Sequence, residues 1–108
     1  MGLRAWLREH RLDARARRLI AGLFRDPALL AGTSLRPRHA ARWVLIDREV
    51  EESEIVRVRF GIVRHPRPYA FSPQSHKVLE RYVYDVRTRQ LTREGGRNIT
   101  RERGLDAD

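Results

Sequence analysis

Arg4, Arg8, Arg11, Arg15 and Arg18 step by 4, 3, 4 and 3 residues. On a helix that spacing sets the guanidinium groups in one file, a ridge able to follow a phosphate backbone with bidentate hydrogen bonds. Glu9 and Asp13 are the only carboxylates in this stretch, too few to neutralise the file through i, i+4 pairs. A solvated helix face is the plainer reading of the same residues. A membrane-surface helix is a further one, but the apolar face is needed for the core.

A second basic set is Arg57, Arg59, Arg64 and Arg67, with Arg81 and Arg87 adjoining across a sheet. Arg57 and Arg59 fall between Val56, Val58, Phe60 and Ile62, so they point away from the apolar face. Tyr82 and Tyr84 alternate with Arg81. Tyrosines and arginines on one open face would suit single-stranded RNA or DNA, with bases stacked on the rings. Alternatively the tyrosines are core residues, and Arg57 and Arg59 pair with the glutamates of residues 49–54 across a hairpin.

His65 and His76 flank a proline-rich loop, HPRPYAFSPQSH. With Arg64, Arg67 and Tyr69 they are the residue types of metal-independent RNA cleavage: one histidine deprotonates a 2′-hydroxyl, the other protonates the leaving oxygen, and arginines stabilise the phosphorane. Two ordinary histidines on a surface loop are the alternative. His10 sits on an apolar helical stripe and reads as a packed residue. No pair of histidines has ligand spacing with a carboxylate, so no metal site is predicted. Neither a glycine-rich phosphate loop nor a nucleophile with its base is present, and no cofactor is predicted.

The chain has 108 residues and a net charge of +9. Of its basic residues all but Lys77 are arginine. A GC-rich genome or a high growth temperature accounts for that ratio, but not for the net charge. The charge is unevenly placed: +7 over residues 1–48, −4 over 49–56 and +6 over 57–108. Such an imbalance favours a polyanionic partner. Cysteine is absent, which excludes a disulfide framework, thiolate zinc and a cysteine nucleophile. No apolar run is long enough to span a bilayer. MGLRAWLREH carries charges inside its apolar stretch, so no signal peptide and a cytoplasmic location are expected.

Residues 1–31 read as helical. Leu3, Trp6, Leu7 and His10 form one apolar stripe, and Ala16, Leu19, Ile20, Leu23 and Phe24 another. The stripes are out of register and Asp13 suits an N-cap, so two helices or one kinked helix are expected, over about 2–11 and 14–25. Asp26-Pro27 opens a short turn that Gly32 ends. A loop over 33–39 precedes a strand in which Trp43, Leu45 and Asp47 alternate with Val44, Ile46 and Arg48. Residues 49–54 read as a hairpin connection, and 56–63 as the clearest strand.

His65-Pro66-Arg67-Pro68 breaks that strand. Tyr69–Phe71 suggests an edge strand, Ser72-Pro73 a helical turn, Lys77–Val86 a strand and Gln90–Glu94 a return strand. The expectation is an α+β domain over 1–94, with N-terminal helices packed on one face of a roughly four-stranded antiparallel sheet, and a flexible basic tail over 95–108. That layout alone is similar to barnase-type and colicin-type ribonucleases. The leading functional expectation is nucleic-acid binding, RNA or single strands, through arginines. The alternatives are the histidine ribonuclease and an interaction protein, of the kind a phage or mobile element encodes, that grips an acidic protein surface.

Overall fold

A computed structural model describes residues 2–64 and 78–94. It shows helix α1 (Leu3–Leu23), the short α2 (Pro27–Ala31), a 3-10 turn at Pro37–Ala41 and four strands. These are β1 (Trp43–Glu51), β2 (Glu54–Val63), β3 (Val78–Asp85) and β4 (Gln90–Glu94), in one antiparallel sheet of order β1-β2-β3-β4. The chain is thus α+β, as its residue periodicities predict. The expected edge strand, the helical turn at Ser72 and the tail all lie outside the described residues.

Leu3–Leu23 forms one continuous helix rather than two. Asp13 is an interior residue of it, not a cap. The two apolar stripes are out of register because only one of them meets the sheet. Leu12, Ala16, Ile20 and Leu23 are buried, while Leu3, Trp6 and Leu7 are exposed. His10 is exposed too, against the expectation that it packs. Tight backbone bonds from Arg25 N–H to Gly22 O (3.1 Å) and Asp26 N–H to Leu23 O (3.1 Å) close the helix. Asp26 then caps α2, accepting from the N–H groups of Ala28 (3.1 Å) and Leu29 (3.4 Å), with Pro27 in the first turn. This is the arrangement that its Asp-Pro pair favours.

The core lies between α1 and one sheet face. Leu12, Ala16, Ile20, Leu23 and Phe24 meet Ile55, Val58, Phe60, Ile62, Tyr82 and Tyr84, with Leu30 and Leu35 closing one side. Phe60 sits among aromatics, edge-on to Phe24 (centroids 6.1 Å) and stacked on Tyr82 (5.7 Å). The residues 33–39, expected as a loop, lead into the 3-10 turn and bury Leu35 and His39. The Arg36 N–H donates to His39 Nδ1 at 2.9 Å, which holds the imidazole beneath the turn.

Four irregularities shape the sheet. Leu45 pairs with Phe60 and Asp47 with Arg59, so Ile46 is an extra residue on β1. Such a bulge reverses which side chains face which layer. Trp43 and Leu45 pack on the core, whereas Asp47 points to the open face and Arg48, opposite Val58, to the helix. Simple alternation misassigns this pair. The β1–β2 connection is also shorter than the acidic run suggests, because Glu51 already pairs with Glu54. Glu52 (φ 50°) and Ser53 (φ 69°) make a two-residue turn with both residues left-handed, a geometry that Asn-Gly adopts with less strain. Register also breaks between Ile62 and Val63, and between Glu49 and Val50, where Val56 is an extra residue on β2; Ile55, not Val56 as expected, therefore joins Val58, Phe60 and Ile62 in the core.

Glu80 is buried at 1% exposure on the core face. Tyr82 donates its hydroxyl hydrogen bond to Glu80 Oε1 (2.5 Å), and Arg93 Nη1 donates to Glu80 Oε2 at 3.1 Å. The Ser34 hydroxyl lies 3.1 Å from the Tyr82 oxygen. Burial, then the Glu80 contact, push the Tyr82 phenol well above its ordinary range. This network ties the segment after α2 to the last two strands. Among the described residues, no helix is long and apolar enough to cross a membrane.

Two stability changes follow from this packing. A Cβ at Gly61 would lie 2.7 Å from Val78 Cγ1 and 3.3 Å from Ile46 Cδ1. Gly61→Ala should therefore destabilise by about 1–3 kcal/mol through overpacking, measured by urea denaturation. Tyr82→Phe removes a donor from a buried carboxylate, and the same measurement should show a loss of about 1–3 kcal/mol.

Candidate polyanion-binding groove

Burial of Leu12, Ala16, Ile20 and Leu23 fixes the rotation of α1 about its axis. The file Arg4, Arg8, Arg11, Arg15 and Arg18 then falls on the flank of the helix next to the β1–β2 hairpin, and all five side chains are exposed. Arg4, Arg8, Arg11 and Arg15 line one wall of a groove of about 560 Å³. Arg48, Val50 and Ser53 form the opposite wall, and Leu7, Glu9 and Leu12 complete the lining. A second hollow, lined by Arg15, Arg18, Leu19, Glu54 and Ile55, continues it, with Arg15 common to both. At 1.5 Å rise per residue the file is about 21 Å long.

Among the described residues, the acids of α1 form their ion pairs with Arg48 rather than with the file. Glu9 and Asp13 are four residues apart on the side of the helix that faces the sheet, and Arg48 reaches up between them. Its Nε donates to Asp13 Oδ1 at 2.9 Å and its Nη2 to Glu9 Oε2. Burial opposes the charge on Arg48, but its hydrogen bonds to Glu9 and Asp13 outweigh it and raise its pKa further. Among the described residues, none of the five file arginines has an ion-pair partner. The first turn of α1 holds no carboxylate and no side-chain cap. Arg4 thus stands at the positive end of the helix, where cations are mildly unfavourable.

The open sheet face is different. Arg57 Nη1 donates to Glu49 Oε2 at 2.6 Å, and Arg57 Nε lies 3.5 Å from Asp85 Oδ2. Arg59 bridges Asp47 (3.0 Å) on β1 and Glu94 (3.1 Å) on β4. Hydrogen bonds donated to Glu49 hold Arg57, and those donated to Asp47 and Glu94 hold Arg59, above their already high ordinary range. Arg87 joins Glu51 at 2.8 Å. Arg81 is exposed and pairs in register with Gly61 and Glu94. The sheet therefore carries alternating charges rather than a basic field.

Tyr82 and Tyr84 belong to the core, so the sheet arginines have no tyrosine platform between them. Arg64 is exposed at the end of β2, and Arg67, Tyr69, His65 and His76 lie outside the described residues. Among the described residues, no three of the His, Asp and Glu side chains converge as a metal site. Sequence reasoning missed Arg48 and the hairpin wall. The available signal was the Glu9, Asp13 pair itself, two like charges at i, i+4 that need a cation from another element.

Asp85 organises the β3–β4 turn. Its carboxylate accepts from the N–H groups of Thr88 (3.0 Å) and Arg87 (3.0 Å), and Arg89 closes the turn at φ 58°. The Thr88 N–H, then the Arg87 N–H, hold the Asp85 carboxyl below its ordinary range. A depressed acid contributes stability above its unfolded pKa and loses it as pH falls through the folded value. Asp85→Asn should therefore lose less stability than the parent between about pH 5 and 2, measured as thermal midpoints at each pH.

In comparisons with known proteins, no family model, no curated protein and no solved structure matches this chain.

Proposed function

We propose that this protein binds nucleic acid, gripping the phosphate backbone with the arginine file of α1. The supporting observation is the contrast between its two sets of arginines. Those of the sheet are joined to carboxylates, whereas Arg4, Arg8, Arg11, Arg15 and Arg18 are exposed and, among the described residues, unpaired. A run of like charges repels itself, and here it also begins at the helix end least suited to cations. Stability alone gives no reason for such a run; a polyanion that releases counterions on binding does.

The groove supplies the shape for this contact. Its walls are the helix and the hairpin, so a strand lying in it would meet guanidinium groups along one side. Arginine suits phosphate oxygens because its planar fork donates two parallel hydrogen bonds. Backbone contact of this kind gives affinity without reading base sequence.

The test is a titration of labelled nucleic acid against salt. Log K should fall linearly with log salt concentration. Arg11→Ala/Arg15→Ala should reduce the magnitude of the slope by roughly 1.5. Arg57→Ala/Arg59→Ala, which removes arginines already paired with carboxylates, should leave the slope nearly unchanged. A flat plot, no binding at low salt, or equal effects of the two double variants would overturn the proposal.

A further inference from the structure

The two sides of the groove differ in charge. Arg4, Arg8, Arg11 and Arg15 line the helix side, and Arg15 carries the file into the second hollow, where Arg18 joins it. Among the described residues, the one arginine lining the hairpin side is Arg48, and it is held by Glu9 and Asp13. That side continues through Val50 and Ser53 to Glu54, which lines the second hollow together with Arg15 and Arg18. Glu54 is exposed and, among the described residues, has no ion-pair partner. Glu49 and Glu51 are paired with Arg57 and Arg87, so Glu52 and Glu54 are the uncompensated acids of the hairpin.

We propose that the groove holds a single strand of nucleic acid, with its phosphates on the arginine file and its base edges toward Glu54, which selects bases that carry an exocyclic amino group. This rests on the nucleic-acid reading above and names its substrate class. A single strand has the same polarity as the groove: an anionic backbone along one edge and uncharged, hydrogen-bonding bases along the other. Its unpaired bases also leave their Watson–Crick edges open to a side chain. An ionised carboxylate only accepts hydrogen bonds. The amino groups of cytosine and adenine donate to it, whereas thymine sets the acceptor O4 at that position.

A duplex fits this polarity poorly. It carries phosphates along both of its edges, and the hairpin side offers carboxylates where the second row needs cations. Its Watson–Crick edges are closed by pairing, so Glu54 gains nothing from them. A second copy of the chain would have to bring its own carboxylates to the file, and the acids of α1 are already held by Arg48.

The experiment compares oligodeoxycytidylate and oligothymidylate of about 12 nucleotides with a duplex of equal length, at fixed salt and neutral pH. The parent should bind oligodeoxycytidylate roughly fivefold more tightly than oligothymidylate. Glu54→Gln removes a charge that repels phosphate, so it should tighten oligothymidylate binding, yet bring the ratio of the two affinities close to one. Glu52→Gln, at a residue that lines neither hollow, should keep the parent ratio. A carboxylate acting as a charge alone shifts both affinities equally. An unchanged ratio in Glu54→Gln, or no preference in the parent, therefore overturns the base contact, while the salt slope of the file stands. Duplex binding as tight as that of oligodeoxycytidylate overturns the single-strand assignment. If the parent binds none of the three at low salt, the nucleic-acid reading fails as well. Circular dichroism identical to the parent excludes a folding defect in either variant.

Discussion

The packing of Leu12, Ala16, Ile20 and Leu23 against Val58, Phe60, Ile62 and Tyr82 governs this molecule. It is the main contact that holds α1 to the sheet, and a helix docked along one stripe has no freedom to rotate. Every other side chain of α1 is placed by that contact. The arginine file falls on the flank toward the hairpin, Trp6 and His10 face outward, and Glu9 and Asp13 face β1. Core burial and surface electrostatics are thus two results of one rotation angle.

Arg48 converts that rotation into a charge pattern. One turn away on α1, Glu9 meets no arginine and Asp13 meets only Arg17, which is outside the file. Instead they are held by a cation from the sheet, which is 16% exposed on its side chain and reaches both. The bulge at Ile46 is what allows this. Without the extra residue, Arg48 and Asp47 would exchange faces, and a carboxylate would point toward the helix acids. One inserted residue in β1 therefore brings Arg48 to the helix acids and places Asp47 where Arg59 meets it on the open face.

The same chain handles arginine in two ways. On the open sheet face, Asp47, Glu49, Asp85 and Glu94 alternate with Arg57 and Arg59 across neighbouring strands, a pattern that satisfies itself locally. Exposed pairs of this kind contribute little to stability. Their larger effect is to cancel a field that would otherwise compete with the helix for a polyanion. Net charge is a property of the whole chain, but binding depends on where the uncancelled part lies.

The sequence by itself determined the helix-then-strands layout, the face of β2 from Arg57 to Ile62, the cap of α2 and the file of arginines. Each depends on spacing within a single element: 3.6 residues per turn, two per pleat, or a side chain bonding its neighbour's backbone. The α+β class followed from these local periods. The tertiary structure decided what those periods cannot express. It decided that one of two apolar stripes on α1 is buried and the other exposed, because only one can meet the sheet. It decided that Arg48 faces the helix, because a bulge shifts register without changing composition. It also decided that Arg57 and Arg59 are paired while the file is not, because a carboxylate's partner depends on which strands lie side by side.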